Sequence, residues 1–274
     1  MSTQTAPAPT TGPGRVHRTV ALCTAETRLF LRNRTALVNS VVLPLLLVAA
    51  VPTLGIGSEA GDAGTVGSRL VVTAIGVTLV YLTYYNLLTT FVARREQLVL
   101  QRMRTGELTG AEVVLGTAAP TLLISLGQVA VVAAGVTVLG EAPAPVDVVL
   151  PLVALVGGSA LMLLLAAAST AFTRSAESSQ VTALPLLVAS SALSGLFFPL
   201  AVLPEPLAAG ARFLPVSPVV ELAQLGLLGR TWDGREVDLT GVWAAAPVPL
   251  ALLAGWLVVG GWAARRWFRW APRR

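Results

Sequence analysis

The stretch RREQLVLQRMRTGELTG, residues 94 to 110, sets Arg94, Arg95, Arg102 and Arg104 within eleven residues of a chain that is only 12% charged. A guanidinium presents a planar fork of donors whose best partners are carboxylates and phosphates gripped through two bonds. The chemistry on offer is recognition of acidic groups, not bond making. Residues that make and break bonds are scarce elsewhere. One histidine, His17, and one cysteine, Cys23, exclude a His-rich metal site and a Cys/His nucleophile pair. All nineteen basic residues are arginine, so no lysine can complete a phosphate-cradling P-loop.

The elements that must position these arginines are apolar. Six stretches, 35–58, 70–93, 113–140, 148–173, 178–204 and 239–264, contain no charged residue. About 20 apolar residues suffice to cross a bilayer. A soluble core would put charges on the outer faces of its helices, and these stretches have none. The expected fold is an all-α polytopic membrane protein with six transmembrane helices near 36–56, 70–92, 112–139, 148–171, 181–203 and 242–263. Residues 1–17 are expected to be a disordered tail and 265–274 a basic one. Carboxylates are absent from the uncharged stretches, which weighs against a proton relay. Such a chain has no energy source of its own. An autonomous channel, or a carrier coupled to an ion through hydroxyl and backbone oxygens, stays open as the alternative.

With the N-terminus in the cytoplasm, the cytoplasmic segments hold 15 arginines against 5 acids, and the outer segments 4 arginines against 9 acids. This is the positive-inside pattern with both termini cytoplasmic. The net charge of +5 is therefore topological, and no nucleic-acid partner is expected.

Wound as a helix from Arg94, the opening stretch gathers Val99, Leu100 and Met103 on one face. Arg94, Gln97, Gln101 and Arg104 occupy the opposite arc, with Arg95 and Arg102 at its edge. Gly106 is the expected stop, and Thr109 with Glu112 the capping box that opens the third span. Before the first span, residues 18–34 place Leu22, Ala25 and Leu29 beside Arg28 and Arg32, as in a helix lying in the membrane interface or in an ordinary positive flank of that span. Asp147 reads as the cap of the fourth span. Ser217, Pro218 and Gly229 frame a short apolar helix that would lie against the membrane or dip into it. Trp262, Trp267, Phe268 and Trp270, interleaved with arginines, read as a headgroup anchor.

Three stretches in order, RRE followed by LxxxRMRTGELTGAEVVLG, then TRSAESSQ (173–180), then SGLFFPLAVLPEPL with FLPVSPVVEL (194–222), resemble type-2 ABC exporter permeases, the group that includes daunorubicin-resistance-type drug exporters. The likeness runs from about residue 20 to 265. It implies a coupling helix over 94–105, with Arg94, Arg95, Glu96, Gln97, Leu98, Gln101, Arg102 and Arg104 touching a cytoplasmic ATP-binding subunit. ATP and Mg would sit on that subunit, with no cofactor bound by this chain. The resemblance further implies a bacterial plasma membrane, pairing with a second copy or a related permease, short extracellular helices between spans five and six, and efflux of a small amphipathic or hydrophobic substrate. Thr83, Tyr84, Tyr85 and Asn86 would either line the path or bond helix to helix. Phe197, Phe198 and Pro199 would form an outer gate or pack in the core.

Overall fold

The computed structural model describes residues 15–32, 63–105, 108–140, 144–197 and 203–271, with isolated positions between 34 and 50. Helix α1 (Arg15–Arg32) is followed, past the expected first span, by α2 (Ala63–Val77). A π-helical segment (Thr78–Tyr84) continues α2 into α3 (Tyr85–Glu96), giving one long rod. After it come α4 (Val99–Arg104), α5 (Gly110–Val138), α6 (Val149–Ser169), α7 (Ser179–Leu193), α8 (Glu205–Ala211), α9 (Ser217–Leu228), α10 (Leu239–Ala245) and α11 (Pro247–Trp267).

Among the described residues, four helical runs are long and apolar enough to cross a membrane: Val66–Glu96, Gly110–Val138, Val149–Ser169 and Leu239–Trp267. Most of the expected first span, 36–56, lies outside the described residues. The expected fifth span does not continue as one helix to residue 203, because α7 ends at Leu193 after 15 residues. At a rise of about 1.5 Å per residue that is about 22 Å, short of a hydrocarbon core of about 30 Å. The sequence around its end explains the stop. Ser191 turns its hydroxyl back to the Leu187 carbonyl (2.7 Å), Ser194 does the same to Ser190, and Gly195 takes a φ of +76°. Hydroxyls that bond their own helix, followed by a left-handed glycine, end a helix.

The core forms around α6, which packs on α9, on α11 and on the π segment. Close approach depends on Gly158, where an added Cβ would fall 2.6 Å from Leu79 and 3.0 Å from Val219. Helix α9 is buried along nearly its whole length against α6 and α2, so it belongs to the core of the bundle. Gly229 ends it in the left-handed conformation, as expected. Ser217 does not cap it. Its hydroxyl donates instead to the Ala211 carbonyl at 2.6 Å, tying α9 to α8. The Asp147 carboxylate accepts the Leu150 N–H at 2.7 Å and so opens α6.

Helix α1 lies along α5, with Leu22 filling the notch over Gly116. Ala25 and Leu29, expected on the same apolar face, are exposed. Toward the bundle α1 buries Glu26.

Candidate functional site: the arginine loop

The arginine loop is not the single helix that its periodicity suggested. Helix α3 closes with Leu98 N–H bonded to the Arg95 carbonyl, and α4 begins anew with Arg102 N–H bonded to the Leu98 carbonyl. Between them Leu98 sits at φ +60°, ψ +11°, the one non-glycine with positive φ among the described residues. That conformation costs a residue with a Cβ about 1–2 kcal/mol, so the surroundings must impose it.

Close by in the chain, Arg95 is anchored in the bundle. Fully buried, it donates from Nη1 to the Thr170 carbonyl (2.8 Å) and from Nη2 to the carbonyls of Thr173 (2.8 Å) and Arg174 (3.1 Å). Those carbonyls lie at and just beyond the end of α6, where backbone acceptors lack helical partners and a basic side chain is favoured. Glu96 Oε2 accepts the Ala176 N–H at 3.3 Å in the same turn. Arg94 grips Glu26 of α1 through two bonds, Nη1 to Oε1 at 2.5 Å and Nη2 to Oε2. Arg94 is partly covered by this pair, and Arg95 has no surface left to offer a partner.

Outward-facing in the loop are Glu96, Gln97, Leu98 (40% exposed), Arg102 and Arg104, with Gln101 half-buried. Leu100 is the apolar anchor of α4, and Val99 and Met103 are half-buried. Past the loop, Gly106 lies outside the described residues. The capping box is formed as expected: Thr109 N–H reaches Glu112 Oε2 at 2.6 Å and Glu112 N–H reaches Thr109 Oγ1 at 3.4 Å.

The C-terminal aromatics divide. Trp262 and Trp267 are exposed, as an anchor requires. Phe268 and Trp270 turn inward, which corrects the anchor reading for those two. The Phe268 ring meets Phe91 of α3 edge-on at 5.6 Å, and the Arg104 guanidinium lies 4.9 Å from the Trp270 ring centroid. Burial pushes the Cys23 thiol above its ordinary value, which keeps it protonated and a poor nucleophile.

Inside the bundle, the polar residues of the rod mostly bond other helices. Thr83 shares a 2.8 Å bond with Ser125 of α5, Tyr84 one of 3.0 Å with Ser169 of α6, and Tyr81 one of 2.9 Å with Ser191 of α7. Tyr85 and Asn86 are half-buried. Phe197 packs partly buried against the core, and Phe198 and Pro199 lie outside the described residues.

Sequence reasoning missed Glu26, Thr170, Phe268 and Trp270 as partners of the loop. Glu26 alone carried a signal, as the one acid in a basic amphipathic helix.

What the described residues of the loop show is fastening: Arg94 ties it to α1 and Arg95 to the end of α6. Among curated proteins none matches the chain. Residues 17–228, from α1 through the arginine loop to the end of α9, match the family model of the ABC-2 type transporter, and the chain belongs to that family as a multi-pass membrane permease component that works with an ATP-binding partner.

Proposed function

We propose that this chain is the permease of an ATP-driven exporter and that the arginine loop receives the movement of its ATPase. The observation that carries this reading is a division of labour. Arg94 and Arg95 hold the loop to α1 and α6, while Leu98, Arg102 and Arg104 stand out from it as an apolar knob with two cations. A partner surface with a small apolar notch ringed by carboxylates fits that face, because forked guanidinium bonds add direction to charge attraction. ATP and Mg belong to that partner. Binding and release of nucleotide would bias the permease between inward-open and outward-open states.

The rest of the reading follows the charge pattern and the family. It is a bacterial plasma-membrane protein of six spans with both termini cytoplasmic, paired with a second copy or a related permease. The cargo is a small amphipathic or hydrophobic molecule of the drug or lipid class, moved outward. Tyr85 and Asn86 are the path candidates, with Thr83 and Tyr84 bonding helices beside it. Phe197, Phe198 and Pro199 are the candidate outer gate.

Mild detergent purification of the tagged chain from its host tests the reading. We expect a soluble protein with a P-loop lysine to copurify, and Arg102→Glu to release it while membrane insertion is unchanged. Transport by the purified chain alone in liposomes without ATP would overturn the proposal in favour of an autonomous carrier.

A further inference from the structure

The segment that follows α11 does more than end the chain. Past Trp267 the backbone leaves the helix at Phe268 (φ −58°, ψ +125°) and crosses the loop end of the bundle. Within three residues it touches four elements. Phe268 lies edge-on to Phe91 near the end of α3, at 5.6 Å and 89°, and Phe91 is fully buried. Arg269 N–H reaches the Thr170 hydroxyl at 3.4 Å, and the Thr170 carbonyl is one of the three that Arg95 holds. Trp270 stacks edge-on against Phe268 at 4.7 Å and lies under the Arg104 guanidinium at 4.9 Å. At the first residue of α5, an added Cβ on Gly110 would fall 2.9 Å from the Trp270 ring, so the absence of a side chain there makes room for the indole.

Helix α4 needs such a hold. Six residues are too few to stand as an isolated helix. It joins α3 through one left-handed residue, Leu98, and its buried contact, Leu100, lies near its start. Its far end, Arg104, is held by the indole. A ring face attracts a guanidinium and packs on its flat surface at the same time.

We propose that Phe268 and Trp270 form a strap that fixes the far end of α4 to the ends of α3, α5 and α6, so that a push on α4 moves those helices instead of being absorbed by rotation about Leu98. Trp270 is thus a positioning residue for ATP-driven transport. The transport half rests on the reading of α4 as the element that the ATPase moves; the strap itself does not.

Amide hydrogen exchange on the full chain in lipid nanodiscs tests the strap without any partner. Trp270→Leu should speed exchange of residues 100–105 by about two- to fivefold, the equivalent of one exposed cation–ring contact, and Trp270→Phe should restore most of the protection. Arg104→Gln, which leaves the C-terminal segment intact, should speed exchange of 100–105 and 268–271 to a similar degree. Combining it with Trp270→Leu should add little, as expected for two partners in one contact. Unchanged exchange at 100–105 in Arg104→Gln overturns the strap, and that variant carries the test if Trp270→Leu fails to insert. In the complex with its ATPase, Trp270→Leu should raise the ATP hydrolysed per substrate moved, and Trp270→Phe should lower it again. Faster exchange with an unchanged ratio would overturn the transport role and leave a local brace.

Discussion

The two ends of the bundle use their charges in opposite ways. At the arginine-loop end, polar contacts join residues far apart in the chain: Arg94 to Glu26, Arg95 to Thr170, Thr173 and Arg174, Glu96 to Ala176 and Arg269 to Thr170, with separations of 68 to 99 residues. At the other end three ion pairs among the described residues are local. Arg212 meets Glu221, Arg230 meets Glu236 and Arg235 meets Asp233, with separations of 2 to 9 residues. The longer bonds there are neutral, from Trp256 Nε1–H to the Phe213 carbonyl and from Gln224 to the Gly195 carbonyl. Local pairs shape the loop they belong to. Distant pairs fasten one element to another: those at the arginine end tie α3 to α1 and to the end of α6.

Removing the most central fastening should break this contrast. Arg95→Met leaves three carbonyls near the end of α6 without their donors, those of Thr170 and Thr173 in buried surroundings, and should cost about 3 kcal/mol. Thermal unfolding in nanodiscs would measure the loss. Hydrogen exchange should show loosening at 170–176, some 75 residues from the substitution. Arg95→Lys should recover only part, since a single ammonium cannot reproduce the planar fork. Loosening confined to 94–100 would mean that the long-range clamp transmits nothing.

The opposite end should respond differently. Glu221 is 1% exposed and holds Arg212 at 2.6 Å and 3.2 Å. Burial raises its carboxyl above the ordinary glutamate range, and Arg212 pulls against that rise. Arg212→Ala removes the opposing pull and should cost about 2 kcal/mol at neutral pH, less than a sealed pair would, because Glu221 can take up a proton. The sign of the pH effect follows from the raised value. A carboxyl with its folded pKa above its unfolded pKa contributes stability below the unfolded value and loses it as pH rises through the folded one. The variant should therefore approach wild-type stability on acidification, and its extra exchange should stay within 205–222. Spread of the effect to α6 would undo the comparison.

The smallest effect sharpens it. Thr109→Ala removes one half of a capping box whose two residues are three apart, and should cost about 1 kcal/mol, with fraying limited to the first turn of α5. Circular dichroism melts and exchange at 110–114 would measure it. Fraying that reached α4 would show that the cap, too, belongs to the long-range network.

These cases also mark what was readable beforehand. The capping box, the Asp147 cap and the Gly229 stop depend on residues three or four apart, so spacing alone revealed them. The helix drawn from Arg94 through the loop failed because periodicity treats every arginine as a surface cation. Nothing within one turn of Arg95 distinguishes it from Arg94, and its acceptors are backbone carbonyls, which leave no trace in a sequence. The aromatic tail misled for a related reason. Tryptophan beside arginine suits a headgroup layer and a protein guanidinium equally, and only the position of Arg104 decides for Trp270.

Composition and short-range spacing were enough for the class of the molecule: uncharged runs demand a membrane, the lack of lysine excludes a P-loop in this chain, and local caps set where several helices begin. Tertiary structure alone decided which arginines point outward, that α9 is core, and that the chain's last aromatics brace its most basic loop. The physical reason is range. Hydrophobicity and capping act over a few residues, whereas the fate of a charge depends on which distant backbone or ring the fold places beside it.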